Sequence, residues 1–165
     1  MLTLTLVRHA KSLHNDYVKN DSERHLAPRG YADAELSALW IKEQGLSPNL
    51  LVSSPAIRAY STAIIFANSM GYSLDKIKLK SSIYEANVHQ LMYVINEFEN
   101  QFKSIMIFGH NPGFTDLINT LCNPVVSSFP TSGVAVLNFN ENSWSTITEG
   151  SAQLNAIYSS HKEIE

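Results

Sequence analysis

Cysteine is all but missing from this chain: Cys122 is the only one in 165 residues, so no intrachain disulfide can form. Charge is sparse too, 16% of residues against roughly 25% in an average soluble domain. With 44% hydrophobic residues, that balance excludes a disordered chain and fits a well-filled globule. There is no basic excess: 12 Lys and Arg against 15 Asp and Glu leave a formal net charge of -3, and nothing invites nucleic acid. No stretch approaches the roughly 18 continuous apolar residues of a membrane span. The opening MLTLTLVRHA lacks the basic stretch, long apolar run and small-residue cleavage site of a secretory leader. A cytoplasmic protein with neither membrane nor nucleic-acid partners is expected. Repeats, low-complexity tracts and Pro/Gly/Ser linkers are absent as well, so one domain over residues 1–165 is expected.

What is present alternates between strand-like and helix-like periods. Leu2 to Val7 is a short apolar run with the shape of a buried strand. Pro28 to Gln44 carries Ala32, Leu36, Leu39 and Trp40 at helical spacing, and Gly45 is a natural stop. Leu50 to Ser53 predicts a second strand; Ser54-Pro55 then reads as a helix start, with Ala59, Ala63, Phe66, Ala67 and Met70 on one face. Ile77 to Leu79 suits a short strand, and Val88, Leu91, Ile95, Phe98 and Phe102 mark a further helix. Ser104 to Phe108 predicts a strand that Gly109-His110-Asn111-Pro112 breaks into a helix bearing Phe114, Leu117, Ile118 and Leu121. Gly133 to Phe139 and Trp144 to Thr148 read as two strands joined by Asn140-Glu141-Asn142. Such alternation predicts a three-layer α/β/α fold around a mainly parallel sheet.

Ligands of such sheets bind beyond the carboxyl ends of the strands. After the first strand comes Arg8-His9, after the second Ser53-Ser54-Pro55-Ala56-Ile57-Arg58, and after the fourth Gly109-His110-Asn111-Pro112-Gly113. Two histidines and two arginines thus converge on one sheet edge. Arginine's planar fork matches phosphate oxygens, and helices starting at Pro55 and Pro112 would add backbone N–H groups. An anion pocket on an acidic protein follows. A histidine there can be a ligand or a nucleophile; attack on phosphorus requires one ring nitrogen unprotonated and the ring held by a bond from the other. Arginines and a second histidine would neutralise the equatorial oxygens.

Three blocks carry a resemblance: Arg8-His9-Ala10-Lys11-Ser12, Ser53-Ser54-Pro55-Ala56-Ile57-Arg58-Ala59 with Thr62, and Gly109-His110-Asn111-Pro112-Gly113. Together they resemble the signatures of the histidine phosphatase superfamily, of phosphoglycerate mutase-like fold. The short length, the first block, Glu23-Arg24-His25-Leu26-Ala27-Pro28-Arg29-Gly30 and Pro130-Thr131-Ser132-Gly133 resemble its SixA-like phosphohistidine phosphatases. The resemblance implies that His9 is the phosphorylated nucleophile, with Arg8, Arg58 and His110 completing the phosphate pocket, and that no metal or organic cofactor is used. It implies a substrate that is a phosphorylated protein, or else a small phosphorylated molecule. Glu85 resembles the position where mutase-like relatives place a general acid. Ser12, Thr131 and Ser132 are candidate substrate contacts. Alanine at position 10, where many members have glycine, is shared with SixA-like relatives.

Other residues invite plainer readings. His14, His25, His89 and His161 read as surface or scaffold histidines, and Arg24 and Arg29 as solvated charges or loop anchors, with a secondary substrate role open to them. Ser54 reads as a helix cap, and Thr62 as a support for Arg58. Asn15 falls where mutase-like relatives hold an asparagine near phosphate. Cys122 has no arginine placed to cradle phosphate around it, and no His/Asp cluster shows metal-ligand spacing. The competing expectations are a small-metabolite phosphatase with the same pocket and a non-catalytic phosphate-binding module. A mutase is least expected, because the chain lacks length for the segments that would hold a bisphosphorylated intermediate.

Overall fold

Alternation decides which face of the sheet each side chain serves. In the computed structural model, which describes residues 1–14 and 18–160, β1 spans Leu2–Arg8. Leu2, Leu4 and Leu6 pack into one core and Val7 into another, on opposite faces of the same strand. β4, Ser104–Gly109, repeats the pattern, with Ile105 and Ile107 on the first face and Met106 and Phe108 on the second. Between them in sequence lie β2 (Leu50–Ser53) and β3 (Lys78–Leu79); β5 (Val134–Phe139) and β6 (Ala152–Tyr158) follow. The six strands form one sheet in the order β3-β2-β4-β1-β5-β6. β3, β2, β4 and β1 pair in parallel, whereas β5 is antiparallel to both its neighbours. The sheet is therefore mixed, with a parallel majority.

Helices α1 (Pro28–Glu43) and α2 (Ile57–Met70) cover one face. Helices α3 (Val88–Asn96) and α4 (Gly113–Cys122) cover the other. α1 begins with Pro28 in its first turn, where a missing N–H costs nothing. α2 ends on Gly71 at φ 69°, a left-handed cap that a Cβ would oppose. α3 opens with a capping box: the Asn87 side chain accepts from Gln90 N–H at 2.9 Å while the Gln90 side chain accepts from Asn87 N–H at 2.9 Å.

Trp144–Thr146 and the end of α3 depart from the sequence expectation. Trp144–Thr146 is a short 3-10 turn, not a strand, and the last strand is Ala152–Tyr158. Trp144 is fully buried and its indole N–H donates to Phe102 O at 2.7 Å, so the aromatic seals the sheet's end instead of pairing within it. α3 stops at Asn96, although Phe98 and Phe102 beyond it still pack on the core. No helix among the described residues is long and apolar enough to cross a membrane. Asn15 and His161, singled out above, lie outside the described residues.

Candidate active site

Strand register builds the site. β1 and β2 flank β4, with Arg8 opposite Gly109 and Ser53 opposite Phe108. The ladder runs one step further, His9 N–H donating to Gly109 O and Ser54 N–H to Phe108 O, both at 3.0 Å. The residues following three strands therefore emerge side by side, and the His9 and His110 ring centroids are 5.3 Å apart.

His9 is buried and its Nδ1–H donates to Ala10 O at 2.8 Å. Its Nε2 lies 3.4 Å from Arg58 Nε, an atom that can only donate, so Nε2 must carry a lone pair. Both contacts select the same tautomer. Burial, only partly offset by the Ala10 carbonyl and reinforced by the charges of Arg58, Arg8 and Arg24, pushes the His9 pKa down to about 4. Near neutral pH the ring is uncharged.

Arg58 comes from the first turn of α2. Its fork is not free: Nη1 donates to Asp21 O and Nη2 to Asp21 Oδ2, both at 2.8 Å, which leaves Nε turned to His9. Asp21, in the 3-10 turn Asp21–Glu23, also accepts from Tyr84 Oη at 2.7 Å and from Arg24 Nε at 3.0 Å. Burial opposes its charge, but these hydrogen bonds and the Arg58 charge outweigh it and hold the carboxyl at about 2. Burial and the Asp21 bond push Tyr84 up to about 12, so its hydroxyl stays a donor. Arg24 donates onward to Ser12 Oγ at 2.9 Å.

Arg8 Nη1 donates to Phe129 O at 2.9 Å, while Arg8 Nε is buried with no hydrogen-bond partner among the described residues. Burial and then the nearby Arg58 lower its pKa, the mark of two cations held close together. His110 repeats the pattern: Nε2 is 2.8 Å from Ser54 Oγ, and Nδ1 is buried without a partner among the described residues. Burial, the neighbouring His9 and Arg58 push its pKa down to about 3. Two buried nitrogens without a partner among the described residues thus accompany a neutral imidazole.

These groups face a cavity of about 330 Å³. Of the residues singled out in the sequence, Arg8, His9, Ser12, Arg58, Glu85, His110 and Thr131 line it. Ser132 does not; it is fully buried at φ 58°, donating its N–H to His9 O and accepting from Ser37 Oγ, and so props the backbone beneath His9. Thr62 Oγ1 accepts from Ala10 N–H at 3.0 Å and donates to Arg58 O at 2.7 Å, tying the His9 loop to α2. The wall also includes Lys11, His14, Asp21, Arg24 and Asn111. His14, which is exposed, and Arg24, which anchors the loop through Asp21, Ser12 Oγ and Leu13 O, thus reach the cavity as well, while exposed Arg29 pairs with Asp33 at 3.5 Å outside it. Asp21 and Tyr84 are site neighbours that no motif pointed to.

Neither helix start fell on its proline: α2 begins at Ile57 and α4 at Gly113. Ser54 caps neither. Glu85 sits at φ 52°, a left-handed conformation costly for a residue with a Cβ. Among the described residues no group of three or more His, Cys, Asp or Glu is arranged to hold a metal ion.

Fold and cavity together are those of an α/β protein that gathers Arg8, Arg24, Arg58, His9 and His110 around one cavity beside the ends of its parallel strands. The chain belongs to the histidine phosphatase superfamily (branch 1), whose family model matches residues 4–107 and stops short of His110. Uncharacterized protein Rv1276c of Mycobacterium tuberculosis is 28% identical over 159 residues, 90% of this chain and 96% of that one. A SixA structure from Agrobacterium tumefaciens superposes with a TM-score of 0.79 at 25% identity, covering 96% of this chain and 97% of that one. The protein histidine phosphatase SixA in complex with tungstate gives a TM-score of 0.81 at 20% identity over 96% and 97%, a likeness of fold. The chain is a SixA-like phosphatase of that superfamily.

Proposed function

We propose that this chain, acting as one cytoplasmic domain over residues 1–165, hydrolyses a phosphohistidine on a protein substrate, through a covalent phospho-His9 intermediate and without a metal. One observation carries the reading: His9 Nε2 holds its lone pair in a cavity that Arg8, Arg58 and His110 also line, and Arg8 Nε and His110 Nδ1 are buried without a hydrogen-bond partner among the described residues. In the first displacement Nε2 attacks phosphorus as the bond to the leaving group breaks. Arg8, Arg58 Nε and His110 take the equatorial oxygens and offset their charge, the largest source of help for phosphoryl transfer. The leaving nitrogen of a phosphoramidate picks up a proton readily; the oxygen of an ester needs one, and Glu85 on the cavity wall supplies it. In the second displacement water attacks phospho-His9, its proton passes to Glu85 or solvent, and inorganic phosphate leaves with His9 restored. Ser12 and Thr131, also on the wall, contact the substrate. The tungstate-bound SixA is by name a protein histidine phosphatase, which supports the phosphohistidine assignment.

A second reading rests on Lys11 and Arg24, cations on the wall of the same cavity that suit a small metabolite with another anionic group. A panel comparing phosphohistidine protein with sugar and nucleotide phosphates separates the two. The test of the mechanism is single-turnover quenching into alkaline denaturant, in which a phosphoramidate bond survives. Wild-type protein should yield label on His9 and His9→Asn none, with turnover abolished; full turnover by His9→Asn overturns the nucleophile. A protein that retains phosphate ligands but never becomes labelled is instead a binding module.

A further inference from the structure

We propose that Ser54 is a positioning residue that fixes the tautomer of His110, making it a neutral donor through Nδ1–H. The inference rests on the reading of His110 as a ligand of phosphoryl oxygen and goes beyond it. Ser54 is fully buried, and its Oγ has two partners among the described residues, Ala56 N–H at 3.2 Å and His110 Nε2 at 2.8 Å. The first is a donor, so Oγ accepts there. The hydroxyl has one proton of its own. If His110 Nε2–H donated to Oγ, the hydroxyl proton would be buried with no acceptor, a cost of the same order as a lost hydrogen bond. Donation from Ser54 to Nε2 satisfies all three groups at once. It also moves the ring's single proton to Nδ1, the nitrogen with no partner among the described residues, in a side chain that lines the cavity. The opposite tautomer would present a lone pair to an incoming oxyanion. Ser53 cannot substitute, because its hydroxyl donates to Ser54 O at 2.8 Å.

His9 reaches the complementary state by an opposite device. A carbonyl acceptor, Ala10 O, holds the proton on Nδ1 and frees Nε2 as a nucleophile. A hydroxyl donor beneath His110 would make the neighbouring ring a donor. Two like side chains 5.3 Å apart are thereby given unlike duties by one backbone oxygen and one serine.

The test is long-range proton–nitrogen correlation on protein with labelled histidine near pH 7, the His110 signals being assigned by their loss in His110→Gln. Wild type should show a protonated Nδ1 and an unprotonated Nε2 on His110. Ser54→Ala should mix or reverse that pattern and lower kcat about tenfold with little change in KM, the loss of one hydrogen bond's bias. Ser54→Thr, which keeps the hydroxyl, should restore both. A protonated Nε2 in wild type overturns the proposal, and that spectrum decides the matter even if Ser54→Ala does not fold. A folded Ser54→Ala with the wild-type tautomer overturns it as well. Because the tautomer is read without turnover, the right pattern in a protein that is never labelled on His9 indicts the nucleophile assignment and leaves Ser54 standing.

Discussion

Glu85 combines two properties that rarely meet: a carboxylate on the cavity wall and a left-handed backbone. A Cβ at φ 52° costs on the order of 1 kcal/mol. Glu85→Gly should therefore raise the melting temperature slightly while removing the proton donor. Glu85→Gln should keep the strain and lose the donor. In both variants esters with poor leaving groups should slow by about a hundredfold, within the range for general acid catalysis, and phosphohistidine much less. Equal losses across all substrates, measured as phosphate release, would take Glu85 out of proton transfer.

The elements explain what the sequence revealed and what it hid. The apolar runs of β1, β2 and β4 were legible because each is short, alternating or fully buried, and each ends in a polar motif. Parallel pairing then made three distant motifs neighbours, so His9, Arg58 and His110 could be placed together from order alone. β6 was not legible: Ala152–Tyr158 is an edge strand of weak alternation, while Trp144 to Thr148 has the aromatic and β-branched content of a strand. Tertiary burial of Trp144 decided against that local preference. Asp21 and Tyr84 escaped because Asp21 meets Arg58 across 37 positions and Tyr84 across 63, and neither Asp21 nor Tyr84 follows a motif strand. The start of α4 makes a sharper point. A Cβ on Gly113 would collide with Ala86 O, so the helix that follows His110 lies directly on the loop that carries Glu85. Gly113→Ala should lower stability by about 1–3 kcal/mol in urea titration and slow turnover by separating the two. Unchanged stability would show that the loop yields freely.

At the scale of the whole molecule, the two buried histidines make the fold acid-sensitive. Their pKa values in the folded protein are about 4 for His9 and about 3 for His110, against 6.5 ordinarily. Below about 6.5 the unfolded chain binds protons that the folded one refuses, so unfolding takes up protons and stability falls with pH. Each histidine contributes a slope of about 1.4 kcal/mol per pH unit, ending near 4 for His9 and near 3 for His110. Asp21, lowered from 3.8 to about 2, adds to the loss only below 3.8. Urea titrations between pH 7 and 4.5 should show the decline, and His9→Asn should halve it; a flat wild-type profile would contradict the burial of neutral rings. The net charge of -3 meanwhile leaves Arg8, Arg24 and Arg58 as a local island of positive charge, with Asp21 set into its centre. That carboxylate has an electrostatic consequence: by occupying both terminal nitrogens of Arg58 it offsets part of the arginines' charge, so an anion entering the cavity meets a weaker field than three unopposed guanidiniums would create.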